Sequence, residues 1–411
     1  MAGPGVKSEI LPPLDIPPSP TAVEVSIIDT TTDIVCPASG FVSPVLKGHE
    51  AINMPTWAFH IKHPSGNEVL FDLGARKDWW TTAPASLDAI KKSMLGIHVS
   101  RGVDEILTDG GIDLNNIKAA VISHWHWDHI GDPTRLPPGA ELVVGPGFKE
   151  HLMPGWPANP DAHLLDSIFE NRTVREAAFD SSFKIGSFEA HDFFGDGSFY
   201  LLNTPGHATG HISALARTTT SSPLAEDDTF VFMGGDICHF GGAFRPTASA
   251  PLPDEIAASP SLPLNRPGLR LPCPCSLFTA CHPQNLETQT PGGTTPPPLA
   301  ASADPTRSTP FYAVTRARDG WYVDPPQAQS SVDSLQQFDA DPRVFVAIAH
   351  DEGLRGVVTW FPHGSLNAWR EKGWKEQARW GFLGTLPEEG RSVVEPLVVG
   401  LGAELRSVEL S

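Results

Sequence analysis

The chain has 411 residues, 40% of them hydrophobic, enough for one large core. Twenty-nine basic against 48 acidic residues leave a net charge of −19, which repels polyanions and argues against nucleic acid and anionic membranes as partners. No apolar run of about 18 residues occurs. The start, Met1-Ala2-Gly3-Pro4-Gly5-Val6-Lys7, lacks the apolar stretch of a secretory signal, and five cysteines are too few for a disulfide framework, so a cytoplasmic protein with reduced thiols is expected.

Residues 1–22 are proline-rich, with Pro12-Pro13 and Pro17-Pro18, and predict a tail or a strap that cannot fold alone. From Val23 a single catalytic domain is expected to run to about residue 400. Its first strands are predicted at Val23 to Ile28, Trp57 to Ile61 and Glu68 to Asp72, followed by helical stretches near Leu87 to Leu95 and Val103 to Thr108. Strands near Leu142 and Phe199 flank a predicted helix at Leu164 to Asn171. Strands at Ile212 to Ala216 and Thr229 to Met233 are joined by a polar loop, Thr218 to Asp228. Between Arg245 and Pro310 fifteen prolines occur, including Pro296-Pro297-Pro298 beyond Pro291-Gly292-Gly293. Regular sheet or long helix is excluded for most of that insertion, which reads either as a lid or pocket wall or as an exposed loop. Leu366 to Leu383 reads as a helix carrying Trp369, Trp374 and Trp380 against a sheet.

The densest chemistry lies in His124-Trp125-His126-Trp127-Asp128-His129, directly after the apolar run Ala119-Ala120-Val121-Ile122. Four metal-competent side chains in six residues at a strand end point to a metal site. In an extended chain His124 and His126 aim the same way, while the adjacent Asp128 and His129 point apart and can serve a second ion. Three later apolar runs each end in a ligand type: Phe199 to Leu202 before His207, Phe230 to Met233 before Asp236, and Val344 to Ala349 before His350. Rigid strands with polar groups at their ends are a physically sensible way to build one pocket. Cys273-Pro274-Cys275 with Cys281-His282 is poorly spaced for chelation.

The order His124-x-His126-x-Asp128-His129, then His207, Asp236 and His350, resembles the metallo-β-lactamase superfamily, and within it the lactonase-like and fungal γ-lactamase-like branch. Supporting stretches are Leu70-Phe71-Asp72-Leu73-Gly74, Thr204-Pro205-Gly206-His207-Ala208-Thr209-Gly210-His211, Gly234-Gly235-Asp236 and Ala349-His350-Asp351. The resemblance implies an α/β fold, an αββα sandwich interrupted by the Pro-rich insertion, with the site at the lip between two sheets. It also implies two zinc ions per chain. One would lie on His124, His126 and His207 and the other on Asp128, His129 and His350, with Asp236 bridging them and Asp72 supporting a ligand imidazole from outside. Many bacterial lactone hydrolases carry a tyrosine three residues after the bridging aspartate, where this chain has His239. A histidine can donate to the same substrate oxygen, so His239 stands beside Asp128 as a catalytic candidate; the other reading is an exposed residue at a loop start.

Two adjacent dications deprotonate a bridging water near neutral pH and polarise a carbonyl, so hydrolysis needs no protein nucleophile. Asp128 can orient that hydroxide and pass a proton to the leaving group. The expected activity is opening of a small lactone or lactam ring, with Trp125, Trp127, Trp156 and Phe240 as candidate walls for a small cyclic ester or amide. The alternative is a thioesterase. For an acidic carrier-protein partner it would need a basic patch, and Arg76-Lys77 is the nearest candidate.

Overall fold

The structure, a computed structural model, describes residues 8–221, 227–262, 266–288 and 304–402. The first seven residues, the middle of the Thr218 to Asp228 loop, and the Pro291-Gly292-Gly293 and Pro296-Pro297-Pro298 stretches lie outside the described residues.

Among the described residues, thirteen strands form the two main sheets. The first sheet holds β1 (Glu24–Pro37), β2 (Ala51–Lys62), β3 (Glu68–Phe71), β4 (Gly96–Val99), β5 (Ile117–Val121), β6 (Glu141–Val144) and β7 (Val174–Glu176), in the order β4-β1-β2-β3-β5-β6-β7. The second holds β8 (Lys184–Ile185), β9 (Phe188–Asp192), β10 (Phe199–Asn203), β11 (Ile212–Thr219), β12 (Thr229–Met233) and β13 (Val344–Ala347), in the order β13-β12-β11-β10-β9-β8.

Side-chain alternation builds the layers. In β12, Val231 and Met233 enter the core between the sheets, where they join Phe199, Leu201, Ala214 and Phe345 of their own sheet and Trp57, Phe59, Phe71 and Val121 of the other. Phe230 and Phe232 face the opposite way, against Ala328, Val332, Leu335 and Phe338 of a long helix at Pro325–Ala340. The far face of the first sheet, with Leu70, Ala120, Leu142 and Val144, is covered by Val103, Ile106 and Leu107 of the helix at Val103–Asp109. The result is the αββα arrangement, with period-2 strands buried on both faces.

Several predicted elements differ. The first strand continues to Pro37, through a bulge between Asp29 and Thr32, and Gly96–Val99 adds an edge strand that its Gly and His disguised. The helix at Leu164 to Asn171 is one 3-10 turn, Asp166–Ile168, because Leu165 pairs with Trp156 and Asp166 Oδ1 accepts the Gly155 N–H. The Trp-bearing helix breaks into a turn of α-helix at Trp374–Ala378 and a 3-10 stretch at Gly381–Thr385. Gly373, in the left-handed region, opens the first of these pieces. Trp369 and Trp374 are nevertheless buried, Trp369 stacking on Phe345 at 5.7 Å. The helix at Pro325–Ala340 has no predicted counterpart. Asp324 caps it by accepting the Gln327 N–H, and Pro325-Pro326 occupy its first turn.

The described part of the insertion holds two-residue strands, Glu255–Ile256 against Cys273–Pro274, and two short helices. It is packed rather than exposed: Leu252, Ile256, Leu262 and Phe278 are buried, and Arg307 donates to the Leu252 carbonyl. Residues 8–22 lie along the body as a strap, with Leu14 buried and Arg217 donating to the Pro17 carbonyl.

Candidate metal centre

Strands β3, β5, β10, β12 and β13 all end at one edge of the sandwich, and each delivers a polar side chain there. After β5 the chain passes Ser123 into His124 and His126, then turns through one helical turn, Trp127–Ile130, that carries Asp128 and His129. His207 follows β10 through Pro205 and Gly206. Gly206 has φ 123°, and a Cβ there would lie 2.1 Å from the Ala328 backbone nitrogen. Only glycine lets this turn seat on the start of the Pro325–Ala340 helix. Asp236 follows β12 through Gly235, whose φ is 52° and whose Cβ would meet Ser123. His350 follows β13.

The seven side chains predicted from sequence come together. His124 Nε2, His126 Nδ1 and His207 Nε2 lie 2.8, 3.0 and 3.1 Å from one another. Nitrogens that share one tetrahedral ion at about 2.0–2.1 Å would stand ~3.3 Å apart, so this triangle is a few tenths of an ångström from a ligand set. On the other side, His129 Nε2 and His350 Nε2 each lie 3.1 Å from Asp236 Oδ1, and 3.6 and 3.7 Å from Asp128 Oδ2. Asp236 Oδ2 faces the first triangle, 3.6 Å from His124 Nε2 and 3.5 Å from His207 Nε2. One carboxylate therefore addresses both groups with different oxygens.

The residues fit a pair of cations. His129 Nε2, His350 Nε2 and Asp236 Oδ1 are buried without a hydrogen-bond partner, an arrangement costly enough to need explaining. The supporting hydrogen bonds turn the right atoms inward. His129 Nδ1 donates to Asp72 Oδ2 at 2.9 Å, His350 Nδ1 to the Pro55 carbonyl at 2.9 Å, and His124 Nδ1 lies 3.1 Å from Ser123 Oγ. Each leaves an Nε2 lone pair facing the cluster. Asp72 also accepts the Ser123 N–H and Oγ–H, in a left-handed backbone position with φ 61°. The donors are imidazole and carboxylate without thiolate, a set suited to zinc and its first-row neighbours. Cys238 Sγ is turned to the Phe240 carbonyl, and burial pushes its thiol up to about 12.

The electrostatics differ across the cluster. Burial, then the neighbouring histidines, pull His124 and His207 well below the usual imidazole range, and burial takes His126 to about 3. For His129 and His350 burial pulls the same way, but Asp236 and Asp128 overcome it and push both up. Burial alone would raise Asp236, yet His129, His350 and His239 hold its carboxyl well below the usual range.

Sequence reasoning missed three participants. His211 Nε2 accepts the Asp236 N–H at 3.0 Å while its Nδ1 donates to the Thr204 carbonyl, which fixes the turn after β12. Tyr322 Oη lies 2.8 Å from His239 Nδ1, and Trp321 stands edge-on to His126 at 5.3 Å. A second histidine four residues after His207 was a visible signal for the first; nothing in the local sequence marks the other two. His239 is 1% exposed, not at an open loop start, and its Nε2 lies 3.0 Å from Asp236 Oδ2. Of the proposed pocket aromatics, Trp125 packs on His126 at 4.6 Å, Trp127 is buried against Trp79, Phe240 is buried against His49 and Tyr312, and Trp156 is exposed beside Leu165. Cys273, Cys275, Cys281 and His282 form no ligand group, and Arg76 and Lys77 are paired with Asp78 and Glu105.

No family model matches the chain. It is 41% identical to Gamma-lactamase FDB1 of Fusarium pseudograminearum (strain CS3096) over 381 residues, 91% of this chain and 84% of that protein. It is 40% identical to Metallo-hydrolase mfmC of Annulohypoxylon moriforme over 374 residues, 90% of this chain and 89% of the other. In fold it is similar to a mutant of AiiA from B. thuringiensis solved with N-decanoyl-L-homoserine at the active site. That match has a TM-score of 0.51 at 15% identity and covers 84% of this chain and 99% of that one.

Proposed function

From the premise that this chain belongs to the metallo-β-lactamase superfamily, in the branch of γ-lactamases and lactonase-like hydrolases, we propose that it opens a small lactone or lactam ring with two zinc ions held by His124, His126 and His207 on one side and Asp128, His129 and His350 on the other. Asp236 is shared between them. The observation that carries this reading is the pair of converging donor groups joined by the two oxygens of one carboxylate. Two such cations supply a water that ionises near neutral pH and a Lewis acid for the ring carbonyl.

The chain's own groups do the rest. His126 and Asp128, at 7% and 6% exposure, are the most accessible of the seven, so the substrate approaches from their side. Asp128 is placed there to hold the attacking water by hydrogen bond and to carry its proton to the leaving alkoxide or amine. Trp125 and Trp321 stand edge-on to His126, and Trp321 is stacked on Phe41 with their planes 2° apart. These flat walls suit a compact, planar cyclic ester or amide. Hydrolysis of a carrier-bound thioester is disfavoured because Arg76 and Lys77 are neutralised by acidic neighbours.

We assign residues 23–400 to the catalytic unit, with the described part of the 245–310 insertion packed beside it, and place the enzyme in the cytoplasm. Among the described residues no helix is long and apolar enough to cross a membrane, and all five cysteines are free.

Metal analysis of protein purified without added metal, followed by assays on lactones, lactams and thioesters before and after chelation, tests the proposal. Two zinc ions per chain and chelator-sensitive opening of lactones or lactams are expected. Turnover of thioesters alone would replace the ring-opening reading.

A further inference from the structure

We infer that His239 is a positioning residue for the shared carboxylate, locked by Tyr322, and does not act on the substrate. The inference rests on the reading of Asp236 as a ligand. An ionised carboxylate only accepts hydrogen bonds, so at 3.0 Å His239 Nε2 must be the donor to Asp236 Oδ2. That fixes the tautomer. His239 Nδ1 then carries a lone pair, and Tyr322 Oη, 2.8 Å away, donates to it. Both ring nitrogens are thereby engaged inside the protein.

The ring also has nowhere to go. Phe41 packs on it at 4.5 Å, and His350 lies parallel to it at 5.8 Å with 15° between the planes. The Tyr322 ring stands edge-on to both His239 and His207. Releasing Nε2 toward a substrate would break the bond to Asp236 and leave a buried carboxylate oxygen turned to the three-histidine group without its orienting donor.

Tyr322 is itself fixed by the backbone beyond it. Val323 N–H donates to the His207 carbonyl and Asp324 N–H to the Gly206 carbonyl. The relay Tyr322 to His239 to Asp236 therefore ties the segment that walls the site through Trp321 to the carboxylate between the two donor groups. The usual consequence of removing such a supporting donor is a 10–100-fold loss of metal affinity.

The experiment is a zinc titration against a chromogenic chelator, with kcat and KM measured at limiting and at saturating zinc, on wild type, His239→Ala, His239→Gln and Tyr322→Phe. Glutamine retains an N–H that reaches Asp236. We expect His239→Ala to weaken zinc binding about 10–100-fold and to regain most of its kcat in excess zinc. His239→Gln should stay near wild type, and Tyr322→Phe should fall between them. A kcat that stays down about 10²-fold at saturating zinc, with zinc affinity unchanged, would place His239 on the substrate's oxygen and overturn the inference. Unchanged affinity and unchanged kcat would overturn it as well. Wild type that binds one zinc per chain removes the two-ion reading alone, since the variants still report whether His239 supports Asp236 on that single ion. Far-UV melting confirms folding of each variant, and the glutamine and phenylalanine changes keep the test open if the alanine variant does not fold.

Discussion

The two halves of the cluster hold the same number of protein side chains but are built on different principles. The His124, His126 and His207 half is all imidazole, and burial with mutual repulsion keeps those rings neutral, their lone pairs ready for a cation. The Asp128, His129 and His350 half is acid-rich, and its carboxylates stabilise positive charge strongly enough to raise the two histidines against the pull of burial. Both halves offer imidazole lone pairs to an ion, and the second adds the charge of the Asp128 carboxylate. Asp236, with one oxygen on each side, is where the two coincide.

The change that should abolish the comparison altogether is Asp236→Ala, which removes a donor from both halves. Zinc content should fall below one per chain after gel filtration, and activity should drop by about 10³-fold or more, the equivalent of several kcal/mol of lost carbonyl and water activation. Retention of two zinc ions by this variant would show that the carboxylate is not shared.

A sharper cut separates the halves. His207→Ala and His350→Ala each delete one imidazole from one side, so each variant should keep about one zinc per chain while losing about 10²-fold in activity or more. Cobalt substitution followed by absorption spectroscopy distinguishes which ion remains. Identical spectra from the two variants would mean that the halves do not load independently.

Asp72→Asn should be milder and one-sided. Asparagine can still accept the Ser123 N–H, but it no longer offers a carboxylate to His129 Nδ1. Affinity for the ion on the acid-rich side should fall 10–100-fold while the three-histidine side is unaffected. Equal weakening of both would indicate that Asp72 acts through the whole loop after β5. The smallest effect on zinc is expected from His211→Ala, which leaves the buried Asp236 N–H without its acceptor and should cost about 1–3 kcal/mol of stability. The melting temperature should drop with zinc stoichiometry intact; a lost zinc would promote His211 from support of the turn to support of the ligand.

Much of the site was legible because its ligands follow one rule, an apolar strand that stops at a polar residue. The rule located His124, His126, Asp128, His129, His207, Asp236 and His350, and the structure gathers their donor atoms into adjoining groups. It also located the strand cores, since Val231 and Met233 alternate with Phe230 and Phe232 between two buried faces. Elements without a strong period were misjudged. The Pro325–Ala340 helix, for which no element was predicted, carries only a sparse apolar stripe, Ala328, Val332, Leu335 and Phe338, behind two prolines. The Leu366 to Leu383 stretch carries three tryptophans that suggested one packed helix, yet the glycines at 373 and 381 let it fold into turns around two buried indoles.

What the sequence determined by itself is the inventory: the donor types, their grouping in six residues and at three later strand ends, and the alternation that demands two sheets with covered outer faces. Tertiary structure alone decided which atom of each ligand turns inward and what holds it there. Asp72 reaches Ser123 and His129 across 51 and 57 residues, Tyr322 reaches His239 across 83, and Trp321 comes to stand beside His126. No local period encodes such contacts, because a hydrogen bond between residues far apart in the chain depends on where two rigid strand ends finally meet, and that is set by the packing of the whole sandwich.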